Sequence, residues 1–363
     1  MKGFNVRDVF ESFSRKHSDP VIAHREFGAK VLGLMQGKDR KIDPAKVDLR
    51  ELWEGLVTSQ GMEESASSTA FPTIAGEIIS SVMIQGYEMY PKVGLSLVRV
   101  VPSKQKISQV VGWKGIGKLD RSSEVREKEN YPAVNPPEEK EIRIKNKKNG
   151  LTLALTKEAI FFDRTGQLMG EASMVGAELA RWQDEVILST LADLDQTAYD
   201  LGEMFAAGNL NTYTGAATAL GTTSFEAAMT YFRKKTDERG RKINVLPGKP
   251  VLMHATDLEF TVDKLLNNEK GPIGTAAQSD VNTARGKFQP VLNPYITSTT
   301  QWLLGDFKSS ARWEEVWPLE TFQRMGGMTE DGFNKDVVAE YKASIFGGCG
   351  YDDTRRVIEM VGA

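Results

Sequence analysis

Cysteine is almost missing from this chain. Cys349 is the only one in 363 residues, so no disulfide can form within it. Stability must come from packing and from neighbours, which agrees with a reducing compartment. Histidine is scarce as well. His17, His24 and His254 show no spacing that a metal site uses, and one thiol makes no thiolate cluster, so a zinc site is not expected. No surplus of positive charge exists. Lys and Arg number 46 against 49 Asp and Glu, a net charge of −3, which lacks the footprint of a sequence-reading nucleic-acid binder. A chain that meets DNA only as a smooth wall needs no such surplus. Apolar runs fall far short of the roughly 18–20 residues that cross a bilayer. Met1–Phe10 mixes charged and apolar residues and has no apolar signal core. The expectation is a soluble protein, made inside the cell.

Catalytic patterns are absent too. There is no G-x-S-x-G, and no set of residues reads as nucleophile, base and orienter. The nearest approach is GWKGIGKL at Gly112–Leu119. It follows the phosphate-cradling loop up to the last position, where Leu119 stands in place of the magnesium-holding hydroxyl. Nor does it open a convincing helix, whose N-terminal amides such a loop requires. Asp193, Asp195, Asp200 and Glu203 lack the spacing of a calcium loop and are expected in a solvated loop or a subunit contact. His254 and Cys349 are expected to pack rather than react. No cofactor, no metal and no enzymatic activity are expected.

What is present suffices for a sizeable core: 40% hydrophobic and 26% charged residues, in a length that suits about two domains. Residues 1–60 read as three short amphipathic helices, and 61–75 as a linker or ordered loop punctuated by Pro72. Ile78, Ile79, Val82, Met83 and Tyr87 then make a helical face that Pro91 ends. Val98–Val101 and Ile107–Trp113 suggest strands. In 118–149, charges alternate with Ile142 and Ile144, and beyond it Leu151, Leu153 and Leu155 keep period two. Asn149-Gly150 is a tight-turn signal. The whole reads as a polar β-arm with little core of its own, which needs a partner surface to offset its ordering entropy.

The clearest element is a helix over 166–192. Leu168, Ala172, Val175, Leu179, Trp182 and Val186 recur at alternating steps of four and three, one apolar stripe. A helix follows at 223–239, with Phe225, Ala228, Met229 and Phe232 inward and Arg233, Lys234, Lys235 and Arg239 outward. PVLMHA (250–255) is a buried strand. Thr256 caps a helix carrying Phe260, Val262, Leu265 and Leu266. Short strands are expected in 286–307 and at 336–346, then a Gly347–Gly350 bend and a last strand at 355–361.

This order of elements resembles the major capsid proteins of tailed double-stranded DNA bacteriophages. Their fold has an N-terminal arm, an extended two-stranded loop, a peripheral domain on a long spine helix, and an inserted axial domain. GQLMGEASMVGAELARWQDEVILSTL (166–191) resembles the spine. KPVLMHATDLEFTVDKLLNN (249–268) and GKFQPVLNPYITSTTQWLLGDF (286–307) resemble the axial domain, and DVVAEYKASIFGGCGYDDTRRVIEM (336–360) the closing segment. The resemblance implies an α+β chain divided as 1–75 arm, 76–102 peripheral, 103–158 extended loop, 159–215 peripheral with the spine, 216–328 axial and 329–363 closing peripheral strands.

It implies hexamers and pentamers of the chain forming an icosahedral head around packaged DNA, in the virion, after assembly in the bacterial cytoplasm. Portal, scaffolding and cement proteins are the implied partners, and no membrane. Lys118, Arg121, Glu138, Glu139, Lys140, Glu141, Arg143, Lys145, Lys147 and Lys148 are the expected intersubunit contacts. Deleting 120–150 is expected to leave a soluble subunit that does not assemble. Some relatives join Lys to Asn covalently, but no pair is expected here. Two other readings keep the shell or the phage: an encapsulin-type nanocompartment, or another phage structural protein such as a tail component. A third is an α+β enzyme whose site forms only in space.

Overall fold

The computed structural model describes residues 64–111, 125, 127, 130, 141–162, 167–206, 209, 211–213, 218–236, 242, 248–269, 282–325 and 336–361. The expected helices of 1–60 and the Gly112–Leu119 string lie outside them. The described residues fall into two compact units. One is built from the chain up to Pro91, Lys148–Trp182 and Trp317–Phe346, the other from Lys92–Lys147, Gln183–Val316 and the chain from Gly347 on.

The chain passes through α1 (Glu64–Met89), α2 (Val93–Leu97), β1 (Arg99–Pro102), β2 (Ile107–Val111), β3 (Glu141–Lys145) and β4 (Lys147–Thr156). Next come α3 (Lys157–Phe162), α4 (Gln167–Leu191), α5 (Thr222–Lys234), β5 (Val251–His254) and α6 (Glu259–Asn267). Then follow β6 (Gln289–Leu292), β7 (Gln301–Gly305), α7 (Phe307–Ser310), β8 (Ala311–Met325), β9 (Val337–Tyr351) and β10 (Val357–Val361). One four-stranded sheet has the order β1-β8-β9-β4 and another β10-β7-β5-β6, while β2 and β3 pair alone. The long strands β8 and β9 run through both units; β4 flanks them in the first and β1 in the second.

In the first unit, two helices pack together and α1 also lies on the sheet. Ala75, Ile78, Ile79, Val82 and Met83 are buried on α1 at steps of one, three and four, a single helical face. Two glycines let the helix backbones touch. A Cβ on Gly86 would sit 2.1 Å from the Ser173 carbonyl, and one on Gly176 1.9 Å from that of Met83. At Gly76, α1 meets Gln323 and Tyr341 of the strands. Residues 61–75 are expected to be a loop, yet α1 runs from Glu64 through Pro72 for 26 residues. Proline forfeits one backbone bond inside a helix. Ala66, Ala70 and Glu64 favour the helix, and extending an existing, packed helix adds residues at low cost.

Helix α4 is where the sequence places it, but its buried stripe drifts. Leu168, Ala172 and Leu179 are buried as expected, whereas Val175, Trp182 and Val186 are half-buried. Farther along, Gln183, Ile187 and Leu191 are buried instead. The expected stripe steps by 3.5 residues, and a straight helix of 3.6 residues per turn slips about 20° per heptad against it. After two heptads the slip is about 40°, enough to carry the stripe toward the edge of the buried face and bring its neighbours into it.

In the second unit, α5 and α6 pack with the sheet β10-β7-β5-β6. Phe225, Phe232, Val262, Leu265, Trp302 and Ile358 belong to its core. Strands β5 and β7 are antiparallel, β5 and β6 parallel, and β10 is antiparallel to β7. The last strand is therefore bonded into this sheet, although the sequence groups it with the closing peripheral strands. Helix α6 is entered through a 3-10 turn, Thr256–Leu258, and Ala255, not Thr256, precedes that turn. Phe260, expected inward, is 76% exposed. Lys235, expected outward, is buried: α5 ends at Lys234, and the chain's turn there points Lys235 inward, its amine donating to the Arg355 carbonyl at 2.6 Å. Arg239 lies outside the described residues.

Neither expected turn at a glycine exists. Asn149-Gly150 lies inside β4, where a Cβ on Gly150 would stand 2.9 Å from the Ala343 carbonyl. Gly347–Gly350 does not bend the chain, because β9 continues unbroken to Tyr351. A Cβ on Gly347 would come within 2.4 Å of the buried Trp313 ring. These glycines permit close approach across a sheet rather than reversal of direction.

Candidate functional site

The polar arm begins as a paired neck. Strands β2 and β3 are antiparallel, with Ile107 opposite Lys145, Gln109 opposite Arg143 and Val111 opposite Glu141. Side chains alternate across such a ribbon. Ser108, Ile142 and Ile144 face inward and are buried, while Ile107, Gln109, Glu141, Arg143 and Lys145 face water. The arm is expected to have little core of its own, yet its base is well seated. Ile144 packs on Gly350, where a Cβ would come within 2.9 Å. Asn146 closes the base, its backbone N–H donating to Lys106 and its amide to Gln105, at 2.9 and 2.8 Å.

A chain of polar groups ties this base to β8 and β1. The Ser108 hydroxyl donates to the buried Glu314 carboxylate at 2.6 Å and shares a bond with Ser103. Arg312 lies 3.8 Å from Glu314 and also binds Asp352. Arg99 reaches the same Asp352 oxygen at 2.5 Å. The backbone N–H of Arg143 donates to the Asp200 carboxylate at 3.1 Å, which gives that acid a structural use. The described part of the neck ends at the Val111–Glu141 pair.

The expected contact residues separate into groups. Glu141, Arg143 and Lys145 share the exposed face of β3, and Lys147 and Lys148 are exposed at the start of β4. Lys118, Arg121, Glu138, Glu139 and Lys140 lie outside the described residues. Lys148 is not simply in solvent: its amine sits 5.0 Å over the Trp317 ring.

That contact leads to a surface the sequence reading does not single out. In the first unit, β4, β8 and β9 turn one face away from the helices. Trp317 and Phe322 there are 43% and 51% exposed. Trp317 stands edge-on to Phe346 at 5.3 Å, and the Lys342 amine lies 4.9 Å over Phe322. Arg324 pairs with Glu340 beside them at 2.7 Å. No signal in the sequence marks this face: no strand is expected over 311–325, and Trp317 and Phe322 are five residues apart, so strict alternation would put them on opposite faces.

Of the acids after α4, Asp193 and Glu203 line a cleft of about 230 Å³ with Phe205, Gln301 and Glu359. Asp193 has left-handed backbone, φ 52°, and accepts N–H bonds from Ala198 and Met204 at 3.0 and 3.2 Å. Burial pushes its carboxyl up despite those donors. Burial also raises Glu359, against the Gln301 amide that donates to it at 2.6 Å, and the neighbouring Asp193 charge adds to the rise. The bonds to Asp193 fold the 194–204 loop. Among the described residues, no three His, Cys, Asp or Glu side chains are grouped to hold a metal, and no helix is long and apolar enough to cross a membrane. His254 is buried, with Nδ1 2.9 Å from the Ala255 carbonyl. Burial pushes the Cys349 thiol up to about 12.

Compared with known proteins, residues 139–359 match the family described as phage capsid protein. No protein of curated function matches the chain. Among solved structures it is similar to the capsid of a native GTA particle, at 13% identity and TM-score 0.48, covering 74% of this chain and 89% of that one. It is also similar to a virus-like particle from Pyrococcus furiosus, at 9% identity and TM-score 0.45, over 78% and 97% of the two chains. Mycobacterium phage Cain gives 12% identity and TM-score 0.46, over 74% and 89%.

Proposed function

Because the chain belongs to the phage capsid protein family, we propose that it is the major subunit of an icosahedral head, closing as hexamers and pentamers around packaged double-stranded DNA. The family match carries this reading. The neck at β2–β3 supports a division of labour within it. The body of each subunit is held by its own cores, and the loop between Val111 and Glu141 reaches a neighbouring copy. Heterologous contacts of that kind close into rings when the rotation closes. Packaged DNA meets the inner wall without sequence reading, in keeping with a net charge of −3. A portal and a scaffolding protein, with a cement protein where the shell needs one, complete the head. Assembly takes place in the host cytoplasm, and the chain serves as building material rather than as a catalyst.

The structure sharpens the deletion that tests this. Removing 120–150 would also take β3, with its buried Ile142 and Ile144, and the first residues of β4. The cleaner variant replaces residues 113–139 by a short Asn-Gly-containing turn and keeps the neck. It should give a folded subunit with a sharp thermal transition that forms no shells in electron micrographs. Normal shells from that variant would sink the arm's role. Purified shells of the intact chain should contain DNA when made during infection; cargo protein in its place would point to a nanocompartment.

A further inference from the structure

Resting on the reading that the loop reaches another copy, we propose that the Trp317–Phe346–Phe322 sheet face is its docking surface, and that the occupant is the Pro-rich acidic segment Tyr131–Glu139 of a neighbouring copy. The face has the composition of an interface core. Large aromatics are enriched in such patches and rare on surfaces meant only for water. Two of these rings are about half exposed, and each carries a lysine amine about 5 Å over its centre: Lys148 over Trp317 and Lys342 over Phe322. An amine held over a ring retains donors for an incoming carboxylate, so this surface offers flat apolar area with cations at its rim.

The segment YPAVNPPEE has the complementary chemistry. Pro132, Pro136 and Pro137 present rigid apolar rings to aromatic faces, and Glu138 and Glu139 carry the opposite charge to Lys148 and Lys342. Proline-rich stretches dock on aromatic surfaces at low entropic cost because their backbone is already restricted. The lysine rim sets the direction in which the acidic end lies.

Three chains test this: Lys148→Glu/Lys342→Glu, Glu138→Lys/Glu139→Lys, and the chain carrying all four changes. Each is first checked for a native thermal transition as an unassembled subunit, then for assembly by sedimentation and micrographs. Each charge-reversed pair alone should lose assembly. The fourfold variant should regain shells, and a mixture of the two pairs should regain six-membered rings, in which alternating subunits set native loop on native face and reversed loop on reversed face. Rescue by the fourfold variant without such mixed rings would place the contact within one chain and overturn the intermolecular claim. Normal assembly of Lys148→Glu/Lys342→Glu would overturn the docking surface, while the loop replacement described above would still report separately on the arm. Trp317→Ala supplies a charge-independent readout: retained assembly there argues against the aromatic face, and loss supports it.

Discussion

Lys235 shows what a single residue costs and contributes in this fold. Its amine is buried against Phe232, at 4.7 Å from the ring centre, and donates to the Arg355 carbonyl. Desolvation lowers its pKa from 10.5 to about 7, against the pull of Asp353. The unfolded chain therefore binds more protons between pH 7 and 10.5, and stability from this group rises with pH across that window. Thermal melts should show the rise in the native chain and a flatter profile in Lys235→Met; the difference between the two is the readout, since other lysines and tyrosines titrate nearby. Asp353 is also held below its usual range, but there it is the charged form that the fold favours. Burial works to raise its carboxyl, but the Arg355 side chain and backbone, with Arg356, hold it below the usual range. Its stabilisation is present above about pH 4 and fades below that. Asp353→Asn should cost about 2 kcal/mol at neutral pH by urea denaturation, the usual scale for bonds to a charged group.

At the scale of elements, the α1–α4 contact is decided by two glycines. Gly176→Ala would gain up to about 1 kcal/mol of helix propensity. Against that stands a Cβ placed 1.9 Å from the Met83 carbonyl, a backbone atom that cannot rotate away. Overpacking on this scale costs about 1–3 kcal/mol, so the net effect is destabilising. Gly170 on the same helix has nothing within 4 Å of its Cβ position. Gly170→Ala should stabilise by up to about 1 kcal/mol. Opposite shifts in urea midpoint from the same substitution six residues apart would confirm the packing; equal shifts would contradict it. The returning strand of the arm was legible by period two, as Ile142 and Ile144 show. The glycines of β4 and β9 were misleading, because Gly150 and Gly347 signal a turn in sequence and a close approach in space.

For the whole molecule, the question is which part of the docking surface holds neighbours together. An exposed ion pair is worth at most about 1 kcal/mol, while truncating a central interface aromatic commonly costs about 2 kcal/mol or more. Trp317→Ala should therefore raise the concentration needed for assembly more than Lys342→Gln does. Light scattering over a dilution series reads this directly, and a larger effect from Lys342→Gln would mean that charge, not aromatic burial, carries the contact.

Composition and periodicity determined that this chain has a long central helix, a charged two-stranded arm, no disulfide and no recognisable catalytic set. Those are local properties: a stripe of apolar residues, an alternation, a missing residue type. Tertiary structure decided which turn of the Leu168–Val186 stripe is buried, because the stripe slips against a straight helix. It decided that Lys235 points inward and Phe260 outward at the ends of their helices, where periodicity lapses. It also decided that the face opposite the helices presents Trp317 and Phe322. A strand's alternation names two faces, and only packing says which of them the protein's own core covers.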